Sequence, residues 1–325
     1  MTNGHELAAA ILSGSIRALA RGLTWVEAGG PRAEALVDAL YGHARPAHIV
    51  GITGAPGAGK STLVRALAVE ARARGLTVGV LAIDPSSPFS GGAILGDRIR
   101  MNEVAGDAGV FIRSMATRGV LGGLSRAAAD AVDVLCAAGR QLVMVETVGV
   151  GQDEVDIMRV AHTTVVVSVP GLGDDIQALK AGIIEIADIH AVNKADREGA
   201  QRTIAELSVM LAMGTRKRDA WEPPLVSCVA SRDEGIAALL DEVTRHFEHL
   251  HATGEIHVRE RRIAQARVIR LAQSLVAETL RPLDRDDDPL VQDVERVARH
   301  ELSPYRCARA LLTRASDRER ASSHV

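Results

Sequence analysis

Residues 48–62 read HIVGITGAPGAGKST: an apolar, β-branched run, the glycine-rich turn Gly54-Ala55-Pro56-Gly57-Ala58-Gly59, and Lys60-Ser61-Thr62 at the head of a helical run. A strand that hands a GxxxxGK[ST] turn to a helix is the setting in which that pattern holds phosphate. Glycines let the backbone curl with its N–H groups turned inward onto phosphate oxygens, and the helix N-terminus adds positive potential. Lys60 then reaches the β and γ phosphates, and the Ser61 hydroxyl is left for Mg²⁺. This stretch predicts an α/β fold of the P-loop NTPase class.

The flanking sequence carries the same reading outward. Short β-branched runs alternate with helical stretches through TVGVLAI, GVFIRS, QLVMVET, TTVVVSV, IHAVNK and PLVSCV. Such alternation means a mostly parallel sheet. The run Thr163 to Val169 has no polar alternation, as a central strand covered on both faces requires. Helical periodicity before and after the sheet predicts an N-terminal helical extension over 1–46, a nucleotide domain over 47–250 and a helical C-terminal arm over 251–325.

Composition narrows the chemistry. The chain has 325 residues, 47% apolar, mean hydropathy +0.08 and a formal charge of −3. That balance argues against a nucleic-acid or membrane-surface partner. Cys136, Cys228 and Cys307 are far apart and outside any CxxC pairing, which points away from a disulfide framework or a structural zinc site and toward a reducing, cytoplasmic setting. Neither a basic leader nor an apolar run of membrane-spanning length is present. Basic positions are almost all arginine, with lysine at Lys60, Lys180, Lys194 and Lys217 alone.

Asn193-Lys194-Ala195-Asp196 follows the run IHAV and matches N-K-x-D. A carboxylate at Asp196 accepts from guanine N1–H and the 2-amino group together, whereas adenine offers an acceptor at N1 and lacks the 2-amino donor. Adenine would strand that carboxylate, at about 1–3 kcal/mol or more. The base read is therefore guanine, and the nucleotides are GTP and GDP. Glu146, in VETVG at the end of QLVMV, stands where P-loop proteins place an acid near Mg²⁺, with Gly149 set for the γ-phosphate. Asp84 closes TVGVLAI, and Asp97 lies in PSSPFSGGAILGDRIRM; both are candidates for the same metal, although the spacing of Asp97 fits a helix cap beside Gly96 equally well. Ser227-Cys228-Val229 follows PLV, where GTPases place a loop that packs on guanine. Asp188-Ile189-His190 begins like a cobalamin-binding D-x-H element, but the sixth residue is Asn193 rather than glycine, so His190 is assigned no cofactor.

Taken together, GAPGAGKST, LAIDPSSPFSGGAILGDRIRM, FIRSMATRG, VETVGVGQDE and VPGLGDDIQALKAGIIEIADIHAVNKAD resemble the methylmalonyl-CoA mutase-associated GTPases of the MeaB type, often labelled arginine/ornithine transport ATPases or kinases. The resemblance runs from about Leu7 into the C-terminal helices. It implies a homodimeric G-protein chaperone that gates adenosylcobalamin delivery to an acyl-CoA mutase and protects that enzyme. Residue by residue, it implies a GTP site of Gly54 to Thr62, Asn193, Lys194, Asp196 and Ser227 to Val229, with Ser61, Asp84, Asp97 and Glu146 around Mg²⁺. Ser-Cys-Val departs from the family's more usual Ser-Ala-Leu. The segment holding Lys180 resembles a family switch that meets the mutase, so Lys180 is expected to neutralise charge on the transferred phosphoryl group; its spacing alone fits a solvated helix lysine beside Asp174 and Asp175. The apolar stripe of Ile263, Ala266, Ile269, Leu271 and Leu275 fits a dimer seam or packing back on the GTPase core. A metallochaperone-type GTPase and a transport-linked ATPase or kinase are the competing classes.

Overall fold

A computed structural model describes residues 3–85, 106–117, 126–147, 156–171, 185–213, 221–280 and 289–322. Seven strands form one sheet: β1 (His48–Gly54), β2 (Val78–Pro85), β3 (Val110–Thr117), β4 (Leu142–Thr147), β5 (Thr163–Ser168), β6 (Ile189–Val192) and β7 (Leu225–Ser227). Their spatial order is β3-β2-β4-β1-β5-β6-β7, and every described pairing is parallel. Each of the seven apolar runs in the sequence supplies one of these strands.

Period-two alternation decides what each face carries. Along β4, Leu142 and Met144 join one core while Val143 and Val145 join the other, and β4 is buried along its whole length. The first face is covered by α4 (Lys60–Ala73) and by α7 (Ile236–Thr253), whose Leu239, Leu240 and Val243 share a cluster with Leu63, Val64 and Leu67. The opposite face is covered by α5 (Arg126–Ala137) and by three N-terminal helices, α1 (Gly4–Leu12), α2 (Ile16–Ala28) and α3 (Pro31–Tyr41). Leu7, Ile11, Leu23 and Leu36 belong to the same core as Leu81, Val143 and Leu135. The helices read from sequence as an extension are thus one wall of the sheet's second core. Ion pairs of Arg113 with Glu27 and of Arg126 with Glu34 fasten them. The remaining central helix, α6 (Ala200–Met213), follows β6.

At the N-terminal edge of the sheet, opposite the phosphate loop, lies a buried polar network that sequence periodicity does not reveal. Thr163 Oγ1 sits 2.7 Å from His48 Nε2 and 2.8 Å from His246 Nδ1, so its hydroxyl donates to one imidazole and accepts from the other. His246 Nε2 is 3.3 Å from Asp188 Oδ1. Asp188 accepts the Thr164 N–H and a two-pronged contact from Arg259, at 2.7 Å from each guanidinium nitrogen. Phe247 stacks on the His48 ring at 4.1 Å, and Trp221 donates to Asp188 O at 2.7 Å. Burial pulls His48 well below its ordinary value and takes His162 and His246 down to about 4.

The chain divides into two compact units, Met1–Ala264 and Gln265–Val325, with the division inside α8 (Glu255–Leu280). The beginning of α8 belongs to the first unit, where Ile256 is buried and Arg259 meets Asp188. In the second unit, α9 (Pro289–Ala298) and α10 (Pro304–Ser322) are joined by Asp293 with Arg314 at 3.0 Å. Val268, Ile269, Leu275, Val294 and Leu312 of this unit are exposed. No helix among the described residues is long and apolar enough to cross a membrane.

The imidazoles give the fold a signed pH dependence. His162 and His246 stay neutral in the folded state down to about 4, whereas unfolded histidine titrates near 6.5. Above 6.5 unfolding takes up no proton at these sites; below it the unfolded chain binds protons that the native state refuses, so stability falls from pH 6.5 toward pH 4. Thermal unfolding midpoints should be level between pH 7 and 8 and drop steadily below pH 6.5. A midpoint constant from pH 7.5 to 4.5 would contradict the neutral network.

Candidate functional site

The chain leaves β1 at Gly54 between β4 and β5, at the C-terminal edge where strand order changes direction and parallel α/β sheets bind ligands. Gly54 has φ 140°, and a Cβ there would stand 2.2 Å from Val167 O of β5. Only glycine lets the loop turn this close to the neighbouring strand. Gly59, at φ 83°, precedes α4, and a Cβ on it would meet Asn193 Nδ2 at 2.5 Å. The loop formed by Ala55, Pro56, Gly57 and Ala58 ends on Lys60, Ser61 and Thr62 in the first turn of α4. Lys60 is buried, and its ammonium donates to Gly54 O at 2.8 Å and Ala55 O at 3.0 Å, folded over the cradle it opens.

Ser61 Oγ donates to Glu146 Oε1 at 2.6 Å, and both residues are buried. Beside them Thr147 Oγ1 donates to Thr53 Oγ1 at 2.9 Å, tying the end of β4 to the end of β1. A hydroxyl and a carboxylate at the head of the phosphate-loop helix form an all-oxygen pair, the donor chemistry that Mg²⁺ prefers. Asp84 lies in β2 in register with Ala116. Its side chain, together with Asp97, Gly149 and Lys180, lies outside the described residues.

Asn193 leaves β6 directly above the loop. Its Nδ2 donates to Ala58 O at 2.9 Å while its Oδ1 accepts the Ala230 N–H at 3.1 Å. Lys194 adopts φ 56° and lays its ammonium on Gly57 O at 2.7 Å. Asp196 is exposed, with Arg232 Nη1 3.6 Å from its Oδ2. His190 is buried inside β6, opposite Leu225 of β7.

Residues 227–229 run from the end of β7 into the turn that follows it. Ser227 ends β7, Cys228 N–H donates to Val192 O at 2.8 Å, and Val229 N–H donates to Glu234 O at 3.0 Å. With the Ala230 N–H taken by Asn193, Ser231 supplies the first N–H of this loop without an acceptor among the described residues. Burial also raises the Cys228 thiol to about 12, a packed core group. Two residues that sequence reasoning did not single out complete the arrangement. Arg65 of α4 donates to Asp233 Oδ1 at 2.9 Å and to Ala230 O at 3.3 Å, clamping the loop from below. Arg232 faces Asp196. Neither stands in a motif; only their position after GKST and SCV hints at them.

Comparison with known proteins meets the same elements. The family model described as "Methylmalonyl Co-A mutase-associated GTPase MeaB" matches residues 19–283. A Pyrococcus abyssi chain that carries a GTPase name is 46% identical over 309 residues, covering 94% of this chain and 95% of that one. The Escherichia coli GTPase ArgK is 37% identical over 73% of this chain and 74% of its own. The mouse mitochondrial methylmalonic aciduria type A homolog is 36% identical over 81% of this chain and 64% of its own. A crystal structure of a LAO/AO transport system kinase superimposes with a TM-score of 0.71 at 27% identity, covering 94% and 95% of the two chains.

The Asn193 carboxamide is the part of this site whose removal has the most direct consequence. Asn193→Ala leaves the Ala58 carbonyl and the Ala230 N–H without their shared partner, and a buried unmet polar group costs about 1–3 kcal/mol. Urea unfolding should show a loss of roughly 2 kcal/mol, and GDP titration of the same variant should show weakened binding. Unchanged stability would contradict the bridge.

Proposed function

The chain belongs to the methylmalonyl Co-A mutase-associated GTPase MeaB family and hydrolyses GTP, and on that premise we propose that it serves an adenosylcobalamin-dependent acyl-CoA mutase, gating cofactor loading and protecting the mutase. The observation that carries the nucleotide part of the reading is the Asn193 bridge, which sets the N-K-x-D element on top of the phosphate loop. Asp196 pairs with guanine N1–H and the 2-amino group, and the Ser231 N–H is available to the base's carbonyl oxygen, a group that adenine lacks. The cradle of Gly54 to Thr62 takes the phosphates, with Lys60 moving from Gly54 O and Ala55 O onto phosphate oxygens. Ser61 and Glu146 fit Mg²⁺, with Asp84 and Asp97 as further carboxylates by sequence position; the ion neutralises phosphate charge. Support for the mutase partner comes from the family's description, and the name of the mouse relative refers to methylmalonic aciduria.

A GTPase that waits for its partner hydrolyses slowly alone, on the order of 10⁻⁴ to 10⁻² per second. Single-turnover phosphate release should therefore be slow for the isolated protein and accelerate when an adenosylcobalamin-dependent acyl-CoA mutase is added. A fast intrinsic rate that no such mutase alters would contradict the chaperone reading.

We assign homodimerisation to the arm, because Val268, Ile269 and Leu275 are exposed on a long helix. The site of truncation matters for testing this. Ending the chain at Leu250 takes from the buried Asp188 its guanidinium partner Arg259, whereas ending it after Ala264 keeps that pair. Light scattering should find the full chain dimeric and the chain ending at Ala264 monomeric. A dimer that survives this truncation would contradict the assignment.

A further inference from the structure

Arg232 is not part of any nucleotide motif, yet the structure holds it beside the carboxylate assigned to guanine. The turn that carries it is fixed at three points. Val229 and Glu234 exchange backbone hydrogen bonds at 3.0 and 3.3 Å, Arg232 N–H donates to Val229 O at 2.9 Å, and Asp233 takes φ 57°. Arg65 fastens the same turn to α4 through Ala230 O and Asp233 Oδ1. One edge of the Arg232 guanidinium is occupied by Glu234, with Nε 2.9 Å from Oε1 and Nη2 3.4 Å from Oε2. The remaining nitrogen, Nη1, stands 3.6 Å from Asp196 Oδ2. Lys194, two residues before Asp196, is committed to Gly57 O instead.

We propose that Arg232, backed by Glu234, is a positioning residue that holds the Asp196 carboxylate in the orientation that guanine requires. This rests on the guanine reading given above. A carboxylate has about four lone-pair sites; the base uses one on each oxygen, and a partner at the outer side of Oδ2 leaves those two open. The side chains of Arg232 and Asp196 are 52% and 38% exposed, so in water their attraction adds little to folding stability. A bound base covers Asp196 and excludes water, and the same pair then acts through a lower effective dielectric. The interaction therefore contributes to binding of the base more than to the fold. The fixed, planar guanidinium can meet Glu234 and Asp196 at once, which an ammonium does poorly.

The test is a double-mutant cycle on the full chain, read as GDP affinity by calorimetric titration. Arg232→Ala should weaken GDP roughly three- to tenfold, the range of a partly desolvated ion pair. Arg232→Lys should recover part of that loss. In an Asp196→Ala background, removing Arg232 should cost nothing further, a result that general damage to the loop would not produce. Arg232→Ala binding GDP as tightly as the unmodified protein or more tightly overturns the proposal, as does an equal loss in the Asp196→Ala background. If Asp196→Ala itself keeps a full preference for GDP over ADP, the guanine reading fails and the role of Arg232 falls with it; if that preference is lost while Arg232→Ala is silent, Arg232 alone is misassigned.

Discussion

The Asn193 carboxamide binds two loops that are far apart in sequence. Its amide group grips the phosphate loop at Ala58 O, and its carbonyl holds the loop after β7 at Ala230 N–H. Because the side chain is planar and buried, the distance between phosphate cradle and base-reading loop is fixed by one residue. Gly59 belongs to the same constraint, since any side chain there would occupy the space of Asn193 Nδ2. Lys194 adds a second strap, its positive φ turning the ammonium back onto Gly57 O. A nucleotide spanning these loops meets a gap set before it arrives, and a site organised in advance loses less entropy on binding.

The strand that delivers Asn193 is short, only Ile189–Val192, and is fixed at both ends. Its C-terminal end is the Asn193 bridge. At its N-terminal end stands Asp188, held by the Thr164 N–H and by Arg259 of α8. A buried carboxylate is tolerable only with such partners, and removing one is costly because the other charge is left behind. The first residues of α8 are thereby part of the GTPase unit, although the helix continues into the arm. His48, Thr163 and His246 extend the same network across the starts of β1 and β5.

Much of this was legible in the sequence, for physical reasons. Seven apolar runs became seven strands, β4, β5 and β6 among them because parallel strands buried on both faces need continuous hydrophobicity. The phosphate loop was legible because few residue types permit its backbone, and Gly54 and Gly59 sit where a Cβ would collide. The packing of α1–α3 on the sheet was not legible, since helical periodicity names an apolar face but not what it meets. Nor was the use of residues 227–229, which depends on the pairing of Val229 with Glu234 across a turn. That pairing takes the Val229 N–H, while Val192 O takes the Cys228 N–H and Asn193 the Ala230 N–H, so Ser231 carries the first N–H of this loop without an acceptor among the described residues. The histidine network was invisible for the same reason: His48, Thr163, Asp188 and His246 are joined by the packing of a helix on the sheet, not by spacing.

The central claim is that Asp196 and the base loop, held at a preset gap from the cradle, select guanine nucleotides, and the most direct measurement is paired calorimetric titration of the full chain with GDP and with ADP in Mg²⁺ buffer. The account predicts micromolar GDP binding and ADP at least about 100-fold weaker, the discrimination expected when the wrong base leaves buried or charged partners unmet. Equal affinities for GDP and ADP would contradict it.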